Sequence, residues 1–400
     1  MELPLALSPF VPVLENPFPA ASRVRSLCDC ASQPFQFPTE IDFPEQLQRL
    51  FRACIALPLG ELEMALRCLS GRVNSVPELT EAMVDYKKSK FKGRGVEFMA
   101  QADVPEAAGL ELLDAALERS AALLRPEAVA HNLTFTRGIL LWGPPGTGKS
   151  LCAKLAAQKI GVPLVAADWA GLRGATAYES RKNLKEFLDT IDALGDGGLI
   201  LYFDDFDKGF SGFDANNDGG ISRQLTGKLL TWMQEHTSKV CVVATVNRLG
   251  FLPPELIRRF EENIYFVDLP HEGARYEIFN LHLKKYFPDF HFSEREWQRL
   301  LSETHLLTPA EIANLVKRAA SEIFYQNCQT LDNQSLANQP LTVTLGDLLL
   351  QRYSFTPSMI RDEDAIVAIR NQASFARPAA DSDKSKWARK KTSLFASSSN

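Results

Sequence analysis

Eight consecutive residues constrain this chain more than any other stretch: Gly143-Pro144-Pro145-Gly146-Thr147-Gly148-Lys149-Ser150. An apolar segment of strand character, Ile139-Leu140-Leu141-Trp142, runs into them, and a helical pattern leaves them from Leu151. In that setting glycines let successive backbone N–H groups turn inward at the positive end of the helix, where phosphate oxygens bind. Lys149 is placed to reach the outer phosphates and Ser150 to ligate magnesium. A plain glycine-rich turn leaves the lysine unexplained. A phosphate loop between a buried strand and a helix demands an α/β layer around it.

The rest of the chain supplies that layer. Short continuous apolar runs at 138–142, 163–167, 199–203, 240–245 and 264–267 read as parallel strands covered on both faces. Helical stretches separate them, which predicts a five-stranded parallel sheet flanked by helices. We divide the chain into five parts. Residues 1–43 read as a proline-rich irregular arm, since eight of the 23 prolines fall in the first 44 residues. Residues 44–98 show helical spacing and form a small helical N-terminal module. It ends in a basic run, Lys87 to Arg94, that reads as a solvated helix end or a partner contact. Residues 99–270 are the nucleotide-binding α/β subdomain. Residues 271–355 are a helical lid, whose one strand-like stretch is 341–345. Residues 356–400 are a C-terminal segment with a disordered basic tail.

A second cluster faces the phosphate loop. The apolar run Leu199-Ile200-Leu201-Tyr202-Phe203 ends in Asp204-Asp205-Phe206-Asp207. Acids at the C-terminal end of a buried parallel strand border the phosphate crevice. Asp204 is read as the residue that holds Mg²⁺ through water, beside Ser150. Asp205 follows it toward the outermost phosphate and an attacking water.

With Val242-Val243-Ala244-Thr245-Val246-Asn247 at the next strand, the set resembles the AAA+ ATPases, and within them the AAA clade. The resemblance implies ATP and Mg²⁺ as cofactors, with nucleotide contacts from Gly143 through Leu151 and from Ala310. It makes Lys149, Asp205 and Asn247 catalytic, Asn247 as the group that polarises the attacking water. Leu252-Pro253-Pro254-Glu255-Leu256-Ile257-Arg258-Arg259-Phe260 matches the segment that carries arginine fingers, which act on the adjacent subunit's ATP. Arg259 matches by its following Phe, and Arg258 is the alternative. Thr308-Pro309-Ala310-Glu311 matches the lid motif that touches the nucleotide. Further matches at 79–93 and 229–238 narrow the resemblance to an AAA family of cyanobacteria and chloroplast genomes, over about 44–377. It implies a ring homo-oligomer, with six subunits favoured, a protein partner, and a cytoplasmic or plastid-stromal location.

Three departures from that pattern bear on activity. The family has Glu where Asp205 stands, and Asp is shorter by about 1.5 Å. Proton abstraction depends on placement finer than that, so we expect slow hydrolysis. The finger segment is compressed, without its usual glycine. In the stretch 172–180, Tyr178 stands where relatives carry glycine, and either packs locally or faces a peptide. A further stretch, Asp214-Ala215-Asn216-Asn217-Asp218-Gly219, begins like a calcium loop. Its twelfth position is Leu225, where calcium needs a bidentate Glu.

Composition sets the remaining bounds. Against 44 Lys and Arg stand 49 Asp and Glu, a net charge of -5. That balance weighs against duplex nucleic acid as a partner, which needs a positive field. No apolar run approaches the ~20 residues a bilayer requires, and the N-terminus shows no secretory signal. Seven scattered cysteines fit a reducing compartment, and Cys28-Asp29-Cys30 lacks nearby metal partners. Three functions remain. The first is an ATPase that remodels or regulates a protein partner. The second is a nucleotide-gated binding module with little turnover. The third, a nucleic-acid motor, rests on the basic run and tail alone.

Overall fold

The computed structural model describes residues 21–32, 50, 53–54, 59–73, 75–91, 96–99, 107–167, 172, 176–195, 198–210, 221–260, 263–330 and 340–388. The calcium-like stretch, most of 172–175 and residues 92–94 of the basic run lie outside them.

Among the described residues, seven strands form one sheet: β1 Val96–Phe98, β2 Gly138–Trp142, β3 Leu164–Ala167, β4 Leu199–Phe203, β5 Val240–Val246, β6 Ile264–Phe266 and β7 Arg377–Pro378. Their order is β1-β3-β4-β5-β2-β6-β7. The five strands expected from the sequence are all present and mutually parallel. The expected count of five is corrected by two short edge strands. β1 pairs antiparallel with β3, and β7 pairs parallel with β6.

The central strands read as unbroken apolar runs because both of their faces are buried. In β4, Leu199, Leu201 and Phe203 face the helices Ala177–Leu194 and Ile221–Glu235. Ile200 and Tyr202 face the other way, toward Glu111–Ala122 and Lys149–Ile160. β5 alternates in the same manner, with Val242 and Ala244 on the first face and Cys241 and Val243 on the second. Strand parity therefore decides which side chains meet the helix that follows the phosphate loop.

The helices Glu272–Tyr286, Glu294–Glu303, Pro309–Thr330 and Leu345–Tyr353 enclose a core of their own around Phe279, Trp297 and Leu315. The stretch 341–345 is not a strand. Thr344 instead caps the last of these helices through a reciprocal box with Asp347.

Two expectations about the ends do not hold. Within the arm expected to be irregular, Ala21–Ser32 form a helix. Its Val24 and Cys28, one turn apart, enter the N-terminal core beside Leu62, Leu66, Leu79 and Met83. Residues 377–388 are a strap, whose part from 381 on falls in the tail expected to be disordered. Ala379 N–H donates to Phe266 O at 3.0 Å, and Ala379 O accepts from Leu112 and Leu113 N–H at 3.1 Å each. The Asp383 carboxylate then accepts from Gly273 N–H at 3.0 Å, and Trp387 packs 5.1 Å from the Tyr276 ring. Polar residues are ordered here by backbone and carboxylate hydrogen bonds, which carry no hydropathy signal. Residues 389–400 lie outside the described set. No helix among the described residues is long and apolar enough to cross a membrane.

Candidate functional site

The loop after β2 owes its shape to three glycines at positive φ: Gly143 at 155°, Gly146 at 81° and Gly148 at 94°. At Gly143 the constraint is doubled, since an added Cβ would lie 2.1 Å from the Val267 carbonyl oxygen. Lys149 opens the following helix and is buried, and its ammonium donates to the Gly143 and Pro144 carbonyls at 2.8 and 2.7 Å. Thr147 Oγ1 donates to Pro144 O at 3.0 Å. Burial pulls the Lys149 ammonium down to about 8, against the opposing charges of Asp205, Asp207 and Asp204. Pro145, Gly146 and Ser150 are exposed, and Leu151 is half-buried.

The lid meets this loop directly. Ala310 N–H donates to Gly146 O at 3.3 Å, at the start of the helix Pro309–Thr330. Thr308 and Glu311 cap that helix reciprocally: Thr308 N–H donates to Glu311 Oε2 at 2.9 Å, and Glu311 N–H donates to Thr308 Oγ1 at 3.2 Å. Glu311 also accepts from Ser358 N–H at 2.7 Å, so this corner of the lid is fixed from two sides.

Across the crevice, Ser150 Oγ donates to Asp204 Oδ1 at 3.3 Å. The same oxygen accepts from Tyr202 OH at 2.7 Å and from Thr245 Oγ1 at 2.8 Å. Burial alone would raise the Asp204 carboxyl, but these three hydrogen bonds outweigh it and hold the group below the usual carboxylate range. Asp205 takes a left-handed backbone, φ 45° and ψ 48°, uncommon for a residue other than glycine. Asn247 Nδ2 donates to Asp205 Oδ1 at 2.8 Å, and Lys208 Nζ lies 2.5 Å from Oδ2. Asp207 is buried and accepts from the backbone N–H groups of Asn247 and Arg248, at 3.3 and 3.1 Å.

Lys149, Ser150, Asp204, Asp205, Asn247 and Ala310 therefore converge. Arg258 and Arg259 do not. Both are exposed, and Arg259 donates to Gln234 Oε1 at 2.9 Å. Their neighbour Phe260 is buried against Gly138, where an added Cβ would meet its ring at 2.8 Å. Gly138 begins β2 and the phosphate loop follows its end, so the arginines sit roughly 15 Å of strand away from their own loop. Tyr178 is 71% exposed, so it does not pack locally. Thr176 caps its helix through a box with Glu179.

Three residues were missed from the sequence, Tyr202, Thr245 and Lys208, and Asp207 was named among the strand-end acids without a role of its own. Strand parity was the available signal for the first two. No group of three or more metal-binding side chains occurs among the described residues. Ser150 and Asp204 nonetheless fit magnesium, an oxygen-seeking ion that keeps several waters and needs few protein ligands.

The model of the ATPase family associated with various cellular activities, AAA, matches residues 139–268. This chain carries an AAA domain. Its particular relatives include the uncharacterized AAA domain-containing protein ycf46 of Pyropia yezoensis, at 28% identity over 75% of this chain and 59% of that protein. The ycf46 protein of Guillardia theta is 29% identical over 82% of this chain and 64% of that protein. That of Trieres chinensis is 30% identical over 74% and 60%. The chain thus spans about three fifths of these relatives. Among solved structures, the FIGL-1 AAA domain superposes with a TM-score of 0.58 at 19% identity, over 72% of this chain and 94% of that one. A likeness at that identity establishes the fold.

Proposed function

We propose that this chain binds ATP with magnesium, hydrolyses it slowly, and couples the cycle to remodelling or regulating a protein partner. One observation carries the reading. The Lys149 loop, the Ser150–Asp204 pair and the Asp205–Asn247 pair lie at the C-terminal ends of three neighbouring parallel strands. In this reading Lys149 and the loop amides bind the phosphates, and Ser150 and Asp204 hold the magnesium, which supplies charge neutralisation. Asp205 takes the proton of an attacking water that Asn247 helps to orient. The distance of Arg258 and Arg259 from their own loop favours action on a neighbouring subunit, hence a ring, with six subunits as the expected number. The exposed Tyr178 suits contact with a peptide. The plastid-encoded relatives favour a plastid stroma or a cyanobacterial cytoplasm.

A second reading, a nucleotide-gated module with little turnover, is favoured by the pairing of Lys208 with Asp205. Steady-state turnover of Asp205→Glu beside wild type separates the two. The first reading expects slow wild-type hydrolysis that the longer acid speeds. ATP binding without turnover in either protein supports the second.

A further inference from the structure

A tyrosine occupies an otherwise aliphatic and phenylalanine strand, and its hydroxyl reaches the metal-side carboxylate. Tyr202 is 1% exposed, and its ring lies in the core with Cys152, Ile200 and Val243. Parity puts it on the face of the sheet that Asp204 shares, two residues on. Register puts Thr245 of β5 on that face too, one residue past the Phe203–Ala244 pair. The helix that begins at Lys149 covers it and brings Ser150. Three hydroxyls thus converge on a single oxygen, Asp204 Oδ1, at 2.7, 2.8 and 3.3 Å. The Asp204 side chain is otherwise exposed at a strand end, where a carboxylate rotates freely. Of the three donors, Tyr202 makes the shortest contact. A phenol has a single O–H, and at Tyr202 it is given to Asp204 Oδ1.

We propose that Tyr202 is a positioning residue for Asp204: it holds one carboxylate oxygen so that the other is left for magnesium-bound water. Thr245 seconds it from β5 and also accepts from Asp205 N–H at 3.0 Å, linking the two acids. The inference rests on the nucleotide reading above. Its competitor is structural: a buried phenol needs an acceptor, and Asp204 merely provides one.

The test is the magnesium dependence of binding a fluorescent, non-hydrolysable ATP analogue to the full chain, with melting temperature measured alongside. Tyr202→Phe keeps the ring and removes only the hydroxyl. We expect the magnesium concentration for half-maximal binding to rise roughly 3–10-fold, with affinity in excess EDTA unchanged. That is below the 10–100-fold seen when partners of direct metal ligands are lost, because water intervenes here. Thr245→Val should move it in the same direction. An unchanged magnesium dependence in Tyr202→Phe, with only the melting temperature lowered, would overturn the proposal and leave the nucleotide reading standing. A wild-type protein that binds no analogue at any magnesium concentration would overturn both. If Tyr202→Phe fails to fold, Thr245→Val with wild-type magnesium dependence overturns the clamp.

Discussion

Asn247 holds Asp205 by one oxygen: its amide Nδ2 donates to Oδ1 at 2.8 Å. The bond ties the acid after β4 to the tip of β5. The buried Asp207 fixes the Asn247 backbone in turn. In the proposed reading, removing the amide frees the acid and the water it would position. Asn247→Ala should lower ATP turnover about 10²-fold, the scale of one preorganised polar group lost, with ATP affinity kept within about threefold. Turnover and binding measured on the same preparation check this. An equal fall in both would assign Asn247 to binding.

Lys208 takes the other oxygen of Asp205 and competes with any proton acceptance there. Its side chain is 73% exposed, however, and solvent screens an ion pair in that position. Lys208→Ala should therefore raise turnover by about 2–5-fold at low salt. The gain should shrink as ionic strength rises and screens the wild-type pair. Turnover that falls in Lys208→Ala would give the lysine a direct role toward phosphate.

The lowered Lys149 sets a pH dependence. Phosphate binds the ammonium form. Below about 8 that form is present in the free protein, and above it the lysine has lost its proton and must regain it on binding. ATP affinity should be level from pH 7 to 7.5 and then weaken, approaching tenfold per unit above about 8. Titrations at constant ionic strength up to pH 9.5 measure this, and a level profile contradicts it.

Gly143 offers a stability test. A methyl group there meets the Val267 carbonyl, and that residue is held by its own N–H bond to Trp142 O at 2.8 Å. Gly143→Ala should destabilise the protein by about 3 kcal/mol, the upper range of overpacking. Urea denaturation followed by circular dichroism reports it. A midpoint unchanged from wild type would mean that the loop relaxes freely.

Asp383 joins the strap to the lid's first helix. It accepts from Gly273 N–H in the first turn and lies 3.3 Å from His271 Nδ1. Losing a carboxylate that satisfies a helix's first-turn donors costs roughly 0.5–2 kcal/mol. Asp383→Ala should lower the melting temperature by a few degrees and expose the strap to protease before the sheet. Proteolysis followed by mass spectrometry checks the order of cleavage.

The strands and the phosphate loop were legible because their signals are local. Leu199 to Phe203 is an unbroken apolar run, and Lys149 follows glycines at fixed offsets. What escaped was set by distant partners. β1 and β7 are three and two residues long and exist only beside β3 and β6. The helix at 21–32 was masked by the prolines around it, although Val24 and Cys28 carry the right spacing. Tyr202 read as one more apolar residue, because its hydroxyl matters only once Thr245 and Ser150 stand on the same face. Asp205 was legible from its place at the end of an apolar strand, Asn247 and Ala310 through family pattern, and the contacts of all three required the fold.

The most direct measurement is steady-state ATP hydrolysis by the purified chain with magnesium, beside Lys149→Ala. Slow turnover in wild type should disappear in the variant, since the proposed reading makes the ammonium held by the Gly143 and Pro144 carbonyls the cation that binds the phosphates. Equal turnover in the two proteins would contradict it, because the hydrolysis would then arise outside this site.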